Sequence, residues 1–201
     1  MGFSSSIFGF VSDFVLRISD FLPENDAMNC KAVELLDVQT ADRVLEIGFG
    51  HGKTLEDLAR RAREGFVAGI DFSATMVRQA EWRNKALIRA GHVAVRLASV
   101  SNIPYPEAEF DKVCAVNTFQ FWPEPVDDLQ EVRRVLRPGG RMVLALRAKE
   151  GNRNDGFNRI GYTPEQLGDV EKLVRRVGFL DVELKVQKVR FTTAANVVAR
   201  K

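Results

Sequence analysis

Three closely spaced glycines follow a short apolar run near the start of the chain. The segment from Val44 to Thr54 reads VLEIGFGHGKT, so a buried-strand pattern runs directly into Gly48, Gly50 and Gly52. A strand, a tight glycine turn and an amphipathic helix form the unit with which α/β domains bind nucleotide-like ligands. A side chain at these positions would hold the main chain away from such a ligand. The segment therefore predicts a ligand that contacts the main chain directly.

The spacing of the glycines restricts the class of ligand. A dinucleotide-binding turn has the pattern Gly-x-Gly-x-x-Gly, which would put the third glycine at position 53. That position holds Lys53, and the third glycine comes one residue earlier. The pattern thus disfavours a nicotinamide dinucleotide.

A carboxylate follows the second predicted strand, which covers residues 66–70. Asp71 lies 23 positions after Gly48. Nucleotide-binding α/β units place an acidic residue at about this separation, where it accepts hydrogen bonds from the ribose hydroxyls. The glycine turn and Asp71 together predict a ligand that carries a ribose; the alternative is an aspartate in a solvated loop.

The pattern Glu-x-Gly-x-Gly-x-Gly, which starts at Glu46, resembles the first motif of the S-adenosylmethionine-dependent methyltransferases with a Rossmann-like fold, and in particular their small-molecule, quinone-biosynthesis-like branch. The resemblance covers about residues 32–201 and includes the segments Ile103-Pro-Tyr-Pro, Glu109-Phe-Asp-Lys-Val and Arg134-Val-Leu-Arg-Pro-Gly-Gly. It implies that S-adenosylmethionine is the cofactor and S-adenosylhomocysteine the product. It also implies that Glu46 serves the amino group of the methionine part.

The expected cofactor-binding residues lie in the glycine turn and just beyond the carboxyl ends of the strands. They are Glu46, Gly48, Phe49, Gly50, Gly52, Asp71, Phe72, Met76, Ser99, Val100 and Asn117. Members of the resembled family usually carry an aspartate where this chain has Ser99, and that aspartate reaches the exocyclic amine of adenine. Ser99 can accept the same hydrogen bond but brings no charge. We expect no metal site.

The order of the predicted elements indicates an α/β fold. Apolar runs predict parallel strands over 43–47, 66–70, 93–97, 112–116 and 141–146, and helices over 27–36, 54–63, 73–90, 125–136 and from residue 164 onward. Thr163-Pro-Glu-Gln predicts a capping box. The last two strands, 179–191 and 194–199, are joined by Thr192 and Thr193, which is too short for a parallel crossover, so they must form a hairpin. We predict a three-layer Rossmann-like fold with seven mostly parallel strands, a C-terminal antiparallel hairpin and helices on both faces.

Length and composition fit one such domain over residues 1–201. The chain is 45% hydrophobic and has a formal net charge of +2, which argues against a nucleic-acid partner. Its two cysteines, Cys30 and Cys114, do not indicate a disulfide framework, and no apolar run reaches the length of a membrane span. We therefore expect a cytoplasmic protein, either a monomer or a homodimer.

The first 31 residues form a predicted N-terminal helical extension. Apolar residues in 1–22 recur at helical spacing, and Asp13, Arg17 and Asp20 interrupt them. In the resembled family such helices commonly cover the active site. The alternatives are a helix that only packs on the core and, with weaker support, one that contacts a membrane surface.

The sequence names no catalytic residue. Attack on a sulfonium methyl needs no covalent nucleophile, and a general base is needed only for a hydroxyl or carbon acceptor. His51 is the nearest candidate base but more simply flanks the cofactor. Phe121 and Trp122 follow the fourth strand, where they either face the cofactor crevice or belong to the core. In the first case they favour, with the Phe-rich N-terminus, a small apolar or aromatic acceptor. The alternative is a non-catalytic protein that binds S-adenosylmethionine or S-adenosylhomocysteine as a regulator or partner.

Overall fold

The computed structural model describes residues 23–149, 161–190 and 192–201. The predicted N-terminal helix over 1–22 and most of the predicted loop over 147–162 lie outside these ranges, as does Phe191. None of the helices in the described ranges is long and apolar enough to cross a membrane.

The described part of the chain contains six helices and seven strands. The helices are α1 (Pro23–Leu36), α2 (Lys53–Arg61), α3 (Ala74–Arg83), α4 (Lys85–Arg89), α5 (Pro125–Val135) and α6 (Pro164–Arg176). The strands are β1 (Arg43–Ile47), β2 (Phe66–Asp71), β3 (Val93–Leu97), β4 (Phe110–Val116), β5 (Leu136–Ala148), β6 (Leu180–Val189) and β7 (Thr192–Arg200). Two short 3-10 helices cover Val100–Asn102 and Phe119–Phe121.

All seven strands form one sheet in the order β3-β2-β1-β4-β5-β7-β6. The first five strands pair in parallel, and β7 pairs antiparallel with both β5 and β6. The predicted closing hairpin is confirmed. The chain moves outward from β1 through β2 to β3, then returns to the other side of β1 with β4, so the topological switch point lies between β1 and β4. Open α/β sheets bind their ligands at such a point.

Helices cover both faces of the sheet, which confirms the three-layer prediction. Side chains of α1, α2 and α3 pack on one face, and side chains of α5 and α6 pack on the other. Strand β5 shows the alternation that this requires, because Met142 and Leu144 face one layer while Val143 and Ala145 face the other. The predicted capping box is also present: Thr163 accepts from the main chain of Gln166, whose side chain accepts from the main chain of Thr163.

The predicted long helix over 73–90 is wrong in one respect, because it is broken at Asn84 into α3 and α4. The Asn84 side chain is 1% exposed, and its Nδ2 donates to the Gly52 carbonyl at 2.8 Å and to the Ala80 carbonyl at 3.0 Å. The first of these bonds ties the end of α3 to the end of the glycine turn. A polar side chain that bonds to the main chain in this way competes with continuation of the helix.

We expect Asn84→Ala to lower the free energy of unfolding by about 2 kcal/mol, because the Gly52 carbonyl loses its buried donor. Urea denaturation measures this loss. Asn102→Ala, at an exposed position, is the matched control and should change stability by less than about 0.5 kcal/mol. Equal losses in the two variants would contradict the role assigned to Asn84.

Strand β5 begins five residues earlier than the sequence predicted. The sequence predicted a helix up to residue 136 and a strand from residue 141, but Leu136 already pairs with Phe110 of β4. Gly139 has φ +75°, and its N–H donates to the carbonyl of Lys201 at 2.8 Å. The C-terminal residue thus holds the segment in the sheet. The predicted hairpin connection at Thr192 and Thr193 is also wrong, because both residues belong to β7.

Candidate cofactor site

The glycine turn leaves β1 at the switch point and is fixed by main-chain hydrogen bonds. Gly48 N–H donates to the Ile70 carbonyl at 2.8 Å, and φ is +72° at Gly48, +54° at Gly50 and +78° at Gly52. A Cβ added at Gly48 would lie 2.3 Å from Cγ2 of Thr118, which follows β4. Glycine at position 48 is therefore required by backbone conformation and by space.

Asp71 lies against this turn, at the carboxyl end of β2. Its Oδ2 accepts from the N–H of Gly50 at 3.0 Å, and its Oδ1 accepts from the N–H of Ser73 at 2.8 Å. The carboxylate therefore joins the glycine turn to the start of α3. Ser73 in turn caps α3 by accepting from the N–H of Met76. The two residues on which the sequence argument depends, Gly50 and Asp71, are in direct contact.

Glu46 is a buried carboxylate two residues before the turn. Its side chain is 3% exposed, and its Oε2 has no hydrogen-bond partner among the described residues. The pKa of Glu46 is raised to about 8, chiefly by burial; a hydrogen bond with the side chain of Thr54 opposes the rise, and the nearby carboxylates of Asp71 and Asp57 contribute to it. A cation placed beside Oε2 would stabilise the ionised form.

This pKa predicts how stability depends on pH. Above pH 4.5 the unfolded chain releases the Glu46 proton, whereas the folded chain retains it up to about pH 8. The unfolded state is therefore favoured as the pH rises through this window, by about 1.4 kcal/mol per pH unit. Between about pH 5 and about pH 7.5, the wild type should lose about 3 kcal/mol relative to Glu46→Gln. Urea denaturation of both proteins at each pH measures the difference, and a constant difference would contradict the shifted pKa.

Two of the predicted site residues place their side chains in the core. The ring of Phe49 packs over β2: a Cβ added at Gly69 would lie 2.5 Å from its Cδ1. Met76 is likewise buried in the cluster between the sheet and the helices α1, α2 and α3. In the described conformation, any contact of Phe49 with a ligand would come from its main chain.

The carboxyl ends of β2 and β3 carry the next group of predicted residues. Asp71 pairs with Leu97, so the segments that follow the two strands are neighbours. Phe72 is 53% exposed and Val100 is buried. The Ser99 hydroxyl accepts from the N–H of Ser101 at 3.2 Å and caps the short 3-10 helix. Ser99 thus already has a structural partner.

Asn117 stands at the carboxyl end of β4 with φ +53°. Its Nδ2 donates to Oδ1 of Asn25, in the first turn of α1, at 3.1 Å. The same oxygen accepts from Nη2 of Arg147, near the end of β5, at 3.0 Å. The adjacent Asp26 pairs with Lys53 at the start of α2. The first turn of α1 is therefore bound to three elements that border the switch point.

Sequence reasoning did not identify these supporting residues. The contacts of Asn25 join residues 92 and 122 positions apart, and no local pattern signals them. Thr54 could have been identified only weakly from the sequence, as a polar residue in the first turn of a helix that begins at a glycine turn. Its burial beside Glu46 appears only in the fold.

Apart from the residues around the glycine turn, a cleft lies beside the ends of β4 and β5. It has a volume of ≈ 500 Å³, and its walls include Phe119, Gln120, Trp122, Lys149, Tyr162 and Gln166. The rings of Phe119 and Trp122 are 5.0 Å apart at 57°. Trp122 is 7% exposed, and its Nε1 has no acceptor among the described residues. Burial raises the pKa of Tyr162 to about 12, so this phenol stays protonated at neutral pH.

Comparison with known proteins agrees with this arrangement. A methyltransferase domain family matches residues 45–144. An uncharacterised methyltransferase of Bacillus subtilis is 23% identical over 178 residues, which are 89% of this chain and 93% of that protein. A ubiquinone/menaquinone biosynthesis C-methyltransferase of Geotalea daltonii is 31% identical over 114 residues, which are 56% of this chain and 48% of that protein.

The fold is shared with solved structures. The crystal structure of an S-adenosylmethionine-dependent methyltransferase from Aquifex aeolicus superposes with a TM-score of 0.71 and 24% identity over 89% of this chain and 93% of that one. The chain spans less than half the length of several other curated relatives. Affiliation with the quinone-biosynthesis branch stays a prediction, since its support here is the partial match to the Geotalea daltonii protein. The domain match, the methyltransferase relatives and the shared fold show that the chain belongs to the S-adenosylmethionine-dependent methyltransferases with a Rossmann-like fold.

Proposed function

We propose that this protein transfers the methyl group of S-adenosylmethionine to a small acceptor that is apolar or aromatic. The observation that carries the proposal is the buried Glu46 carboxylate with an unpartnered oxygen beside the glycine turn. S-adenosylmethionine supplies a methyl group already activated by its sulfonium. The protein can therefore act largely by positioning the reactants and excluding water.

The residues at the switch point fit this cofactor. Oε2 of Glu46 offers a buried acceptor to the ammonium group of the amino acid end. Asp71 accepts two main-chain N–H groups, but a carboxylate has about four lone-pair positions and can also accept from the ribose hydroxyls. We assign Phe72 and Val100 to contacts with the adenine ring, and Ser99 to a contact at the edge of that ring. Asn117 borders the methionine part.

The cleft beside β4 and β5 supports an apolar or aromatic acceptor. Phe119 and Trp122 offer ring faces and edges against which a flat acceptor can stack. The unpartnered Nε1 of Trp122 offers one hydrogen bond to an acceptor oxygen. A relative named for ubiquinone/menaquinone biosynthesis is consistent with a ring-bearing acceptor.

Calorimetry with S-adenosylhomocysteine, followed by transfer of labelled methyl from S-adenosylmethionine to quinol, phenol, amine and lipid acceptors, tests the proposal. We expect binding of the nucleoside and transfer to a quinol or phenol. Trp122→Phe should lower transfer while leaving nucleoside binding unchanged. Failure to bind the nucleoside at millimolar concentration would overturn the cofactor site. Binding without transfer to any acceptor would instead support the non-catalytic alternative, which the family match does not favour.

The contacts of α1 give a separate prediction for cofactor affinity. Asn25→Ala removes the oxygen that accepts from both Asn117 and Arg147. Loss of this tether should weaken S-adenosylhomocysteine binding by about three- to tenfold, because Asn117 must then be ordered on binding. Asn29→Ala, on the same helix, is the matched control. Calorimetry that gave equal affinities for the two variants would contradict a positioning role for Asn25.

A further inference from the structure

A shallow pocket lies between the glycine turn and the exposed face of α3. Its volume is ≈ 490 Å³, and it is lined by His51, Thr75, Arg78, Gln79, Trp82 and Arg83. His51 is the residue between the second and third glycines of the turn. The other five lie on α3 and are exposed. The five residues on α3 have no role in the proposed cofactor or acceptor sites, and His51 belongs to the turn that borders the cofactor.

The polar part of this pocket favours an anion. Nη2 of Arg78 donates to Oγ1 of Thr75 at 3.2 Å, and Nε of Arg83 donates to the carbonyl of His51 at 3.2 Å. Each guanidinium is oriented by one such bond and keeps further N–H groups, since arginine has five. The lining contains no carboxylate. Nδ1 of His51 is buried and has no hydrogen-bond partner among the described residues.

The apolar part of the pocket favours a flat ring. Trp82 is 81% exposed, more than any other large hydrophobic side chain in the described ranges. The main chain that carries Trp82 is held beside the glycine turn, because Asn84 anchors the end of α3 to Gly52. An exposed indole in the same pocket as two arginines offers a stacking face near guanidinium groups, which bind phosphate and carboxylate with paired N–H bonds.

We propose that this pocket binds a small aromatic anion, a flat ring bearing a phosphate or carboxylate. The ring stacks on Trp82, and the anionic group binds Arg78 and Arg83 beside His51. Such a ligand contacts the glycine turn through His51. The ≈ 490 Å³ volume and the net charge of +2 favour a small molecule over a nucleic acid.

Fluorescence titration tests this proposal without the cofactor. The chain has two tryptophans, and Trp122 lines the proposed acceptor cleft, so the titration uses Trp122→Phe, in which Trp82 is the single tryptophan and reports selectively on the pocket. Phenyl phosphate should change the Trp82 emission and bind at least about tenfold more tightly than phenol or inorganic phosphate, because only it combines ring and charge. Benzoate should likewise bind more tightly than acetate, which repeats the test with a carboxylate in place of the phosphate.

Variants locate the site. The double substitution Arg78→Gln and Arg83→Gln should weaken phenyl phosphate binding by about tenfold or more. The matched control, Arg61→Gln with Arg89→Gln, removes the same charge from exposed positions outside the pocket and should leave binding unchanged. Arg78→Gln alone leaves the Arg83 contact with the turn intact and serves if the double variant unfolds. Calorimetry of Trp82→Ala should show a similar loss.

Three outcomes would overturn the proposal. The first is equal affinity for phenyl phosphate and phenol. The second is an equal effect of the pocket variant and its charge-matched control. The third is a change from dimer to monomer in Trp82→Ala by light scattering, which would make this face an interface between two copies of the chain. Failure of the proposed methyltransferase reaction would leave all three measurements unaffected.

Discussion

Glu46→Gln is expected to weaken S-adenosylhomocysteine binding by about 10- to 100-fold at about pH 7.5, because a charge-assisted hydrogen bond becomes a neutral one. The amide is nearly the same size as the carboxyl group, so the fold should persist. Calorimetry gives the affinity. Glu64→Gln, at an exposed position, is the matched control and should bind like the wild type.

Proton release distinguishes this role of Glu46 from a purely structural one. With a pKa of about 8, Glu46 holds a proton at about pH 6.5, and a bound ammonium group favours its release. Wild-type binding should therefore liberate about one proton, and the affinity should rise by about tenfold from about pH 6 to about pH 7. Binding heats measured in two buffers of different ionisation enthalpy count the protons. Glu46→Gln should release none and show a flat pH profile.

A wild-type affinity independent of pH, with no buffer-dependent heat, would contradict the contact between Glu46 and the ammonium group. Retained proton release in Glu46→Gln would assign the proton to another residue. Either result would remove the main support for the orientation of the cofactor proposed above.

Gly52→Ala is expected to lower the free energy of unfolding by about 3–4 kcal/mol. The left-handed backbone at φ +78° contributes about 1 kcal/mol of this loss for a residue with a Cβ. The remainder is steric, because the new Cβ would lie 2.6 Å from Cβ of Ala80 and 3.0 Å from its Cα. Helix α3 would have to move, and the Asn84 bond to the Gly52 carbonyl would be disturbed. Urea denaturation measures the loss.

Gly91 provides a matched control for the steric part. Its φ of +76° is nearly the same, but a Cβ there would have no atom within 4 Å. Gly91→Ala should therefore lose only the backbone component, about 1 kcal/mol. Equal losses at the two positions would show that α3 does not press on the turn. S-adenosylhomocysteine binding should fall in Gly52→Ala and stay unchanged in Gly91→Ala.

Local pattern predicted most of the sheet. Strands β1 and β3 begin and end at the predicted residues, because each is a short apolar run bounded by turn or polar residues. The break at Asn84 was not predictable, since it depends on the Gly52 carbonyl 32 positions away. The start of β5 was missed for the same reason: Pro138 and Gly139 have turn composition, and the Lys201 carbonyl that binds Gly139 is distant in sequence.

The candidate site shows a similar division. The proximity of Gly50 and Asp71 was predictable because each lies at the carboxyl end of one of two parallel strands that pair in the sheet. The direction in which a side chain points was harder to predict. Phe49 was assigned to the cofactor, yet its ring fills the space left by Gly69, a contact that depends on strand register. The pairing of Asn25 with Asn117 required the position of α1, which the periodicity of the chain does not specify.

The contact between Asp71 and the glycine turn has a kinetic consequence. Because the carboxylate already holds the N–H groups of Gly50 and Ser73, the main chain of the turn is ordered by folding itself. The conformational entropy of this loop is then lost before any encounter with the nucleoside. Association should accordingly approach the rate set by diffusion and orientation, and nucleoside analogues should differ mainly in how quickly they dissociate.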